Sequence, residues 1–155
     1  MKAPYSLLVG LRSDEPILVV GGGALAERKV TTLLEAGCRP FVIAPTLTEP
    51  LLRAHRRGSF DWEPRKTRRE DFDGRRFVLL ALPPEETRRL LPWTREAGCL
   101  VNAASLSEEG DWALVAQFGH DRCRIGVGSG GADPARAARL KKIIFRHLTD
   151  REVKS

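Results

Sequence analysis

The sequence predicts an α/β fold with a parallel sheet, and three observations support this prediction. An apolar run of strand length, Ile17–Val20, leads directly into Gly21, Gly22 and Gly23. A segment of helical composition follows the glycines, and further apolar runs at residues 41–44 and 77–81 also alternate with helical segments. Strands that alternate with helices form right-handed βαβ units, whose strands pair in parallel and are covered on both faces.

The elements of the first hundred residues follow in order. The first helix is predicted over residues 24–36 and ends at Gly37, a residue type that commonly follows the last helical turn. Pro45 ends the second strand. The complete predicted series after the first helix is a strand at 41–44, a helix at 48–57, a strand at 59–62, a strand at 77–81, a helix from Pro84 to near Gly98, and a strand at 99–102.

The pattern changes beyond residue 110. Residues 112–117 and 123–127 read as two strands with Gly119-His120-Asp121 between them, which predicts a hairpin. A last helix is expected over residues 134–148, with Asp133 as its N-cap and Pro134 at its first position. The sequence therefore predicts a parallel-sheet domain over residues 1–110 and a hairpin-plus-helix segment over residues 111–155.

The glycines after the first strand carry the strongest functional signal. Gly21, Gly23 and Ala26 fit the G-x-G-x-x-G/A spacing of a dinucleotide-binding turn. In such a turn the first glycine permits a sharp bend, the second lets the backbone approach a pyrophosphate, and the third small residue lets helix and strand pack closely. The helix N-terminus then offers free N–H groups to the phosphates. The spacing predicts a Rossmann-like domain, although a glycine turn that serves packing alone remains an alternative.

The charge of the chain favours anionic partners. The 155 residues include 26 Lys and Arg against 20 Asp and Glu, a formal net charge of +6. Such a balance suits a nucleic acid, a membrane surface, or a phosphate or polycarboxylate ligand. Nucleic-acid binding is disfavoured, because the arginine-rich run at residues 53–76 also contains acidic residues, lacks regularly interleaved aromatics and contains no recognised nucleic-acid motif.

The cysteines, the histidines and the apolar runs predict the cellular compartment and whether the protein binds a metal. Cys38, Cys99 and Cys123 are odd in number and far apart, which suggests a reduced, cytoplasmic protein and no disulfide framework. No Cys/His spacing resembles a zinc site, so no metal is predicted. No signal peptide is visible, and no apolar run approaches the ~20 residues that cross a bilayer, so no membrane association is expected.

Longer motifs resemble one family. Val19-Val20-Gly-Gly-Gly-x-x-Ala26-x-Arg28-Lys29, followed by Leu33-Leu34-Glu35-Ala36-Gly37 and Val42-Ile43-Ala44-Pro45, resembles the precorrin-2 dehydrogenase family, which includes the N-terminal part of siroheme synthase. Leu100-Val101-Asn102 and Ser129-Gly130-Gly131-x-x-Pro134-x-x-Ala137-x-x-Leu140 agree in sequence and in spacing. The resemblance covers nearly the whole chain. The family has a further C-terminal helical module, and this chain ends before it.

The resemblance implies an NAD-dependent oxidoreductase that converts precorrin-2 to sirohydrochlorin in siroheme or haem biosynthesis. Some members also insert iron. It further implies a homodimer to which the hairpin segment contributes, which suits a hairpin that would be only marginally stable alone. The macrocycle carries several carboxylates, so a basic surface would steer it toward the protein.

The resemblance also implies roles for particular residues. The pyrophosphate turn would consist of Gly21, Gly22, Gly23 and Ala24. Ala44 and Pro45 would border the adenosine ribose, and Asn102 would also lie by the cofactor. A substrate carboxylate would be bound by Ser129, Gly130 and Gly131. Asn102 as a plain strand-end residue and Ser129 as an ordinary helix cap remain alternatives. No Asp or Glu ends the second strand, so the usual acceptor for the ribose 2′-OH is missing, and Thr46 is the polar residue there. The preference for NAD over NADP therefore follows from the resemblance alone.

Two positions depart from the family pattern. Ser105 stands where the family has an aspartate proposed to act in acid/base and metal chemistry, and it is therefore the candidate catalytic position. A hydroxyl does not take up a proton near neutral pH without an activating base. Nearby carboxylates at Glu108, Glu109 and Asp111 are possible substitutes. Leu82-Pro83-Pro84 replaces a polar loop. Chelatase activity is accordingly doubtful, and a non-catalytic tetrapyrrole- or NAD-binding module is the alternative function.

Overall fold

The computed structural model describes Leu8, residues 10–130 and residues 133–152, with residues 151 and 152 described as backbone only. Leu11–Ala113 forms one compact unit, and the chain from Leu114 onward belongs to a second. In the part of the chain that the structure describes, no helix is long and apolar enough to cross a membrane.

The larger unit is built on a parallel five-stranded sheet. Its strands are β1 (Ile17–Val20), β2 (Phe41–Ile43), β3 (Asp61–Glu63), β4 (Phe77–Leu80) and β5 (Leu100–Ala103). They lie in the order β3-β2-β1-β4-β5, and every neighbouring pair is parallel. Three helices connect them: α1 (Ala24–Glu35), α2 (Glu49–Arg56) and α3 (Pro84–Glu96). The predicted Rossmann-like α/β fold is confirmed.

The two central strands form the core of this unit. Every residue of β1 and β4 is buried, which explains why both runs are continuously apolar. Val19 pairs with Val42 of β2 on one side and with Leu79 of β4 on the other. The direction of strand progression reverses between β1 and β4. Ligands of open α/β sheets bind in the crevice outside the carboxyl ends of the strands at such a reversal.

The second unit contains the predicted hairpin, with corrected boundaries. Its strands are β6 (Ala116–His120) and β7 (Cys123–Val127), paired antiparallel. Their turn consists of Asp121 and Arg122, which have φ values of 43° and 60°. The prediction placed the turn at Gly119-His120-Asp121, but a two-residue turn with both central residues left-handed matches the twist of the strands better. Gly119 and His120 therefore continue β6.

The last helix packs on this hairpin. It is α4 (Pro134–Glu152), and its predicted N-cap is confirmed, since the Asp133 carboxylate accepts a hydrogen bond from Arg136 N at 2.8 Å. The rings of Phe118 on β6 and Phe145 on α4 meet edge to face at 5.3 Å. A hairpin alone is marginal in water, and packing against a helix supplies the apolar contact it lacks.

Trp112 was predicted to begin a strand of the hairpin, and this was wrong. Its indole N–H donates to Leu100 O at 3.0 Å, and its ring meets Phe77 edge to face at 5.9 Å, so it packs against the parallel sheet. Beside it, the Asp111 carboxylate accepts a hydrogen bond from Val101 N at 2.9 Å. The contacts of the large indole ring with Phe77 and Leu100 outweighed the strand-like alternation of the local sequence.

Candidate dinucleotide-binding site

A cavity of about 500 Å³ lies at the carboxyl ends of the strands in the larger unit. It is bordered by the glycine turn after β1 and by the segments that follow the three neighbouring strands. The residues of its wall outside the strands are Gly21, Gly22, Gly23, Ala44, Pro45, Thr46, Lys66, Thr67, Leu82, Glu86, Arg89 and Leu90. The structure thus brings together the glycines, Ala44 and Pro45 that the sequence analysis selected as cofactor-binding residues.

Gly21 makes the sharp bend out of β1. Its φ of +124° lies in a region that side chains rarely allow, and a Cβ there would overlap the carbonyl oxygen of Ala81. Its own N–H donates to Ile43 O at 3.0 Å. Gly21 therefore serves the close approach of the turn to the chain that follows β4.

Gly22 occupies the most crowded position of the turn, although the motif leaves it unspecified. A Cβ there would overlap the Thr46 carbonyl oxygen and would lie 2.9 Å from Ala44 Cβ. The Gly22 carbonyl also accepts a hydrogen bond from Thr48 N at 2.9 Å. The absence of a side chain at Gly22 thus lets the glycine turn and the segment after β2 pack directly on each other.

Gly23 differs from both, because nothing lies within 4 Å of its Cβ position. Its φ of −84° and ψ of −170° are extended values that any residue adopts, and it is the N-cap of α1 without a side-chain capping bond. The first intrahelical bond runs from Glu27 N to Gly23 O at 2.9 Å. The N–H groups of the first turn of α1 are left without intrahelical acceptors, and together with the helix dipole they suit an anion. This open cradle fits the pyrophosphate of a dinucleotide.

The segment after β2 presents no carboxylate to the cavity. Ala44 is buried, and its carbonyl accepts a hydrogen bond from the Trp62 indole at 2.9 Å, which fixes the end of β2. Pro45 and Thr46 follow as exposed residues. The polar group at the position where Rossmann proteins often place an acid is thus the Thr46 hydroxyl, as the sequence analysis predicted.

Four polar residues of the wall were missed by sequence reasoning. Lys66 and Thr67 come from the loop after β3, and Glu86 and Arg89 come from α3. In the sequence they belong to charge-rich stretches that read as solvated surface. The position of Lys66 and Thr67 follows from strand order, because β3 lies beside β2 and its carboxyl end therefore faces the same crevice. Glu86 and Arg89 reach the crevice because α3 follows β4, the strand on the other side of β1.

The loop that carries Lys66 and Thr67 is held by a central arginine. Arg65 donates to both carboxylate oxygens of Asp71, at 2.6 and 2.7 Å, and to Glu63 at 2.5 Å. Asp71 also accepts a hydrogen bond from Arg68 N at 2.7 Å. The hydrogen bonds from Arg65 hold the pKa of Asp71 below its usual value, and the same pairing raises the pKa of Arg65. Bidentate pairing fixes geometry as well as charge, so the loop is held at both ends.

Ser105, the candidate catalytic position, lies just beyond β5 in a chain of hydroxyls. Its Oγ is 3.1 Å from Thr87 Oγ1, and the Thr87 hydroxyl donates to Leu82 O at 3.2 Å. A threonine hydroxyl has a single proton, so the hydrogen bond between the two side chains is donated by Ser105. The Ser105 oxygen is left as an acceptor for a further group.

Asn102 is buried in β5, with 3% of its surface exposed. Its Nδ2 group has no hydrogen-bond partner among the described residues, an unusual state for a buried amide. Neither Asn102 nor Ser105 belongs to the wall of the cavity described above. Their assignment to cofactor binding and to catalysis therefore stays a prediction.

Two of the three carboxylates near Ser105 in sequence have other partners. The Glu109 carboxylate forms an ion pair with Arg88 at 3.6 Å, and Asp111 accepts the hydrogen bond from Val101 N. Glu108 is an exposed residue of a short 3₁₀ turn. The structure thus gives Asp111 a structural role at the edge of the sheet, whereas Glu108 extends into solvent.

The predicted substrate-binding residues lie in the second unit. The Ser129 hydroxyl accepts a hydrogen bond from Asp133 N at 3.1 Å, so it acts in the turn that leads into α4. Gly130 has a φ of +65°, which glycine adopts without strain. Gly131 lies outside the described residues. The Ser129 hydroxyl thus stabilises the turn before the helix, which Asp133 caps, and the role of Ser129 toward a substrate carboxylate stays a prediction.

The site holds no evident metal centre. Within the described ranges no group of three or more His, Cys, Asp and Glu residues is arranged to hold a metal ion. The cysteines Cys38, Cys99 and Cys123, all within the described ranges, form no disulfide, and burial raises the pKa of Cys99. The chemistry that these residues offer is anion binding at the glycine turn and hydrogen bonding near Ser105.

The sheet order, the glycine cradle and the cavity define a dinucleotide-binding protein of the Rossmann class. A family model described as "Putative NAD(P)-binding" matches residues 11–116, and the chain belongs to this NAD(P)-binding family. That assignment supports the predicted cofactor, NAD.

The similarity to individual proteins extends over most of the chain. The chain is 27% identical over 138 residues to the precorrin-2 dehydrogenase of Priestia megaterium, and the match covers 89% of this chain and 68% of the relative. It is 33% identical over 132 residues to the siroheme synthase of Chromobacterium violaceum, covering 82% of this chain and 28% of that protein. The solved structure of SirC, a precorrin-2 dehydrogenase, matches with a TM-score of 0.74 and 26% identity over 92% of this chain and 71% of that one.

These matches confirm the predicted resemblance to precorrin-2 dehydrogenases and siroheme synthases. The coverage is unequal, because the chain spans about two thirds of the Priestia protein but only 28% to 30% of the siroheme synthases of Chromobacterium violaceum and Aeromonas salmonicida.

Proposed function

We propose that this protein is an NAD-dependent precorrin-2 dehydrogenase that produces sirohydrochlorin in siroheme biosynthesis. The observation that carries the proposal is the open glycine cradle at Gly23, in a chain of which 92% is similar in structure to a precorrin-2 dehydrogenase. The similar proteins are named precorrin-2 dehydrogenase or siroheme synthase.

The reaction removes a hydride and a proton from the macrocycle. NAD supplies the hydride acceptor when bound, so NADH and one proton are released for each precorrin-2 oxidised. The protein's contribution is to hold two ligands in reactive geometry, which can account for a large part of a rate enhancement. The glycine turn and the first turn of α1 would hold the pyrophosphate, and Ala44 and Pro45 would border the adenosine ribose.

Ser105 contributes an oriented acceptor. Because its proton is donated to Thr87, the Ser105 oxygen can receive a hydrogen bond from a pyrrole N–H of the substrate. It does not take up the proton that the oxidation releases, because an alcohol is too weak a base near neutral pH. A hydride transfer that depends on positioning tolerates this loss better than metal insertion does, and we do not assign iron insertion to the protein.

A non-catalytic tetrapyrrole- or NAD-binding module is the second candidate function. It is favoured by the hydroxyl at Ser105 and by the engagement of Glu109 and Asp111 with other partners. The loop at residues 82–84 points the same way, because two consecutive prolines supply no backbone N–H groups to a ligand.

A turnover assay separates the two candidates. Purified protein is mixed with freshly prepared precorrin-2 and NAD, and NADH formation is followed by absorbance. We expect turnover in the wild type and none in Gly23→Val, because the added side chain enters the space of the pyrophosphate. NAD binding by calorimetry with no NADH formed would exclude the dehydrogenase and leave the binding module. The Ser105→Asp variant reports on the missing carboxylate, and we expect it to raise turnover by restoring a proton acceptor.

We further propose a cytoplasmic homodimer in which residues 1–110 bind NAD and residues 111–155 supply the dimer contact and part of the substrate site. The support is a pair of exposed apolar side chains one turn apart on α4, Leu140 and Ile143, which are 45% and 63% exposed. Sedimentation equilibrium tests this: we expect a dimer in the wild type and a monomer in Ile143→Asp. A monomeric wild type would refute the dimer without touching the proposed activity.

A further inference from the structure

We propose that the cavity accepts the 2′-phosphate of NADP as well as NAD, with Lys66, Thr67 and Thr46 as the phosphate subsite. This inference rests on the proposed dinucleotide site and concerns the specificity of that site. It starts from the end of β2, where the Thr46 hydroxyl stands in place of an acid. A carboxylate there would accept the ribose 2′-OH and repel a 2′-phosphate, so its absence removes the usual barrier to NADP.

Lys66 and Thr46 occupy equivalent positions after two neighbouring strands. Ile43 is paired with Glu63 in the parallel β2–β3 ladder, and Ala44 N continues the ladder by donating to Glu63 O at 3.3 Å. Thr46 follows Ile43 at the same interval as Lys66 follows Glu63. Both residues line the cavity, so they lie at the same end of the sheet.

The loop after β3 is built to present these side chains. Arg65 bonds Glu63 on one side of Lys66 and Thr67 and bonds Asp71 on the other, which holds the loop before any ligand arrives. The same contacts neutralise the two carboxylates that would otherwise repel an anion at this end of the sheet. The Lys66 side chain forms no ion pair with any residue that the structure describes, so its ammonium group is available to a phosphate.

The remaining charges of the cavity agree with an anionic ligand. Arg89 adds a second cation to the wall, and Glu86 is its single carboxylate among the described residues. Glu86 belongs to α3, which follows β4, and β4 lies on the opposite side of β1 from β2 and β3. The carboxylate is thus attached to the far side of the crevice from the loops that carry Thr46 and Lys66.

Binding measurements test the subsite without reference to turnover. Dissociation constants of the full chain for NAD, NADP, 5′-AMP and 2′,5′-ADP are measured by calorimetry at two salt concentrations. We expect NADP to bind at least as tightly as NAD, and 2′,5′-ADP to bind more tightly than 5′-AMP, with the difference shrinking at high salt. Binding of NAD with NADP more than tenfold weaker would overturn the inference and leave the proposed function intact. Failure to bind either dinucleotide would overturn both.

Substitutions in the loop after β3 test whether Lys66 and Thr67 cause the preference for the 2′-phosphate. Lys66→Ala should weaken NADP about 10- to 100-fold more than it weakens NAD, because a charge-assisted hydrogen bond to the phosphate is lost. Thr67→Val should act in the same direction by a smaller factor. Lys142→Ala, which removes the same charge from an exposed position of α4, should leave the NADP to NAD ratio unchanged. Equal weakening of both dinucleotides by Lys66→Ala would refute the assignment.

A further binding experiment with a polycarboxylate tests whether Lys66 binds the cofactor phosphate or a substrate carboxylate. Benzenehexacarboxylate serves as the probe for a carboxylate-binding site. We expect Lys66→Ala to change its affinity no more than Lys142→Ala does. If Lys66→Ala weakens this probe while the NADP to NAD ratio stays constant, the lysine belongs to a substrate-binding surface and the 2′-phosphate subsite is wrong.

Discussion

The two neighbouring glycines Gly22 and Gly23 offer a sharp test of the site, because the same substitution should act on different properties at each. Gly22→Ala places a methyl group against the Thr46 carbonyl oxygen and 2.9 Å from Ala44 Cβ. Ala44 is buried and held by the Trp62 indole, so the obstacle is backbone that does not move freely. Gly23→Ala places its methyl group in open space, in an extended conformation that alanine adopts without strain.

The expected magnitudes follow from these contacts. Overpacking against backbone costs about 1–3 kcal/mol, and a shift of the loop also lengthens the 2.9 Å bond from Thr48 N to Gly22 O, which is worth about 1 kcal/mol. We therefore expect Gly22→Ala to lower the free energy of unfolding by about 3 kcal/mol, or the melting temperature by about 6–12 °C. Gly23→Ala should change the stability by less than about 0.5 kcal/mol while weakening NAD at least tenfold.

The assay is urea unfolding followed by circular dichroism, paired with NAD titration by calorimetry for each variant. Gly58→Ala serves as a control for conformational strain alone, since Gly58 has a φ of +75° with nothing within 4 Å of its Cβ position. The reasoning is refuted if Gly22→Ala unfolds at the wild-type urea concentration, or if Gly23→Ala binds NAD as the wild type does.

Two further predictions concern side chains around the cavity. Asp71→Asn should destabilise the protein near neutral pH, because Arg65 lowers the pKa of Asp71 in the folded state. The folded pKa of Asp71 lies below the unfolded value of about 3.9, so the wild type should lose this contribution as the pH falls through the folded pKa. In urea unfolding at decreasing pH, the stabilities of Asp71→Asn and the wild type should therefore converge in acid. Glu70→Gln, at an exposed neighbouring position, is the control and should be as stable as the wild type near neutral pH. Thr87→Val should cost about 1–2 kcal/mol in thermal unfolding, because it removes the buried hydroxyl that links Ser105 to the main chain, and Ser105→Ala should cost less; equal losses would contradict the proposed direction of the hydrogen bonds.

Much of the fold could be predicted from local pattern. The continuous apolar runs at β1 and β4 reflect burial on both faces, and the glycine turn and Gly37 mark both ends of α1. Boundaries were less predictable where tertiary contacts decided them. Trp112 alternates with its neighbours as in a strand, but its indole ring is stabilised by Phe77 and Leu100, which are distant in sequence.

The site was predictable only where a single segment defines it. Gly21 and Gly23 belong to a motif with a steric rationale, and they lie in the cavity wall as expected. The crowding at Gly22 depends on Thr46 and therefore on the pairing of β1 with β2. Lys66 gave no local signal, because its position depends on the order of strands and on the ion pairs of a loop that carries many charges.

The contact between Asp111 and β5 limits how molecules of this protein can associate. β5 is an edge strand, and an unpaired edge invites a strand from another molecule, the first step toward domain swapping or fibrils. Here Val101 N donates to the Asp111 carboxylate, Val101 O accepts from Asp111 N, and Leu100 O accepts from the Trp112 indole. The chain thus covers its own open edge with a side chain and a short backbone segment in place of a sixth strand. Extension of the sheet by a strand from another molecule is therefore blocked at this edge.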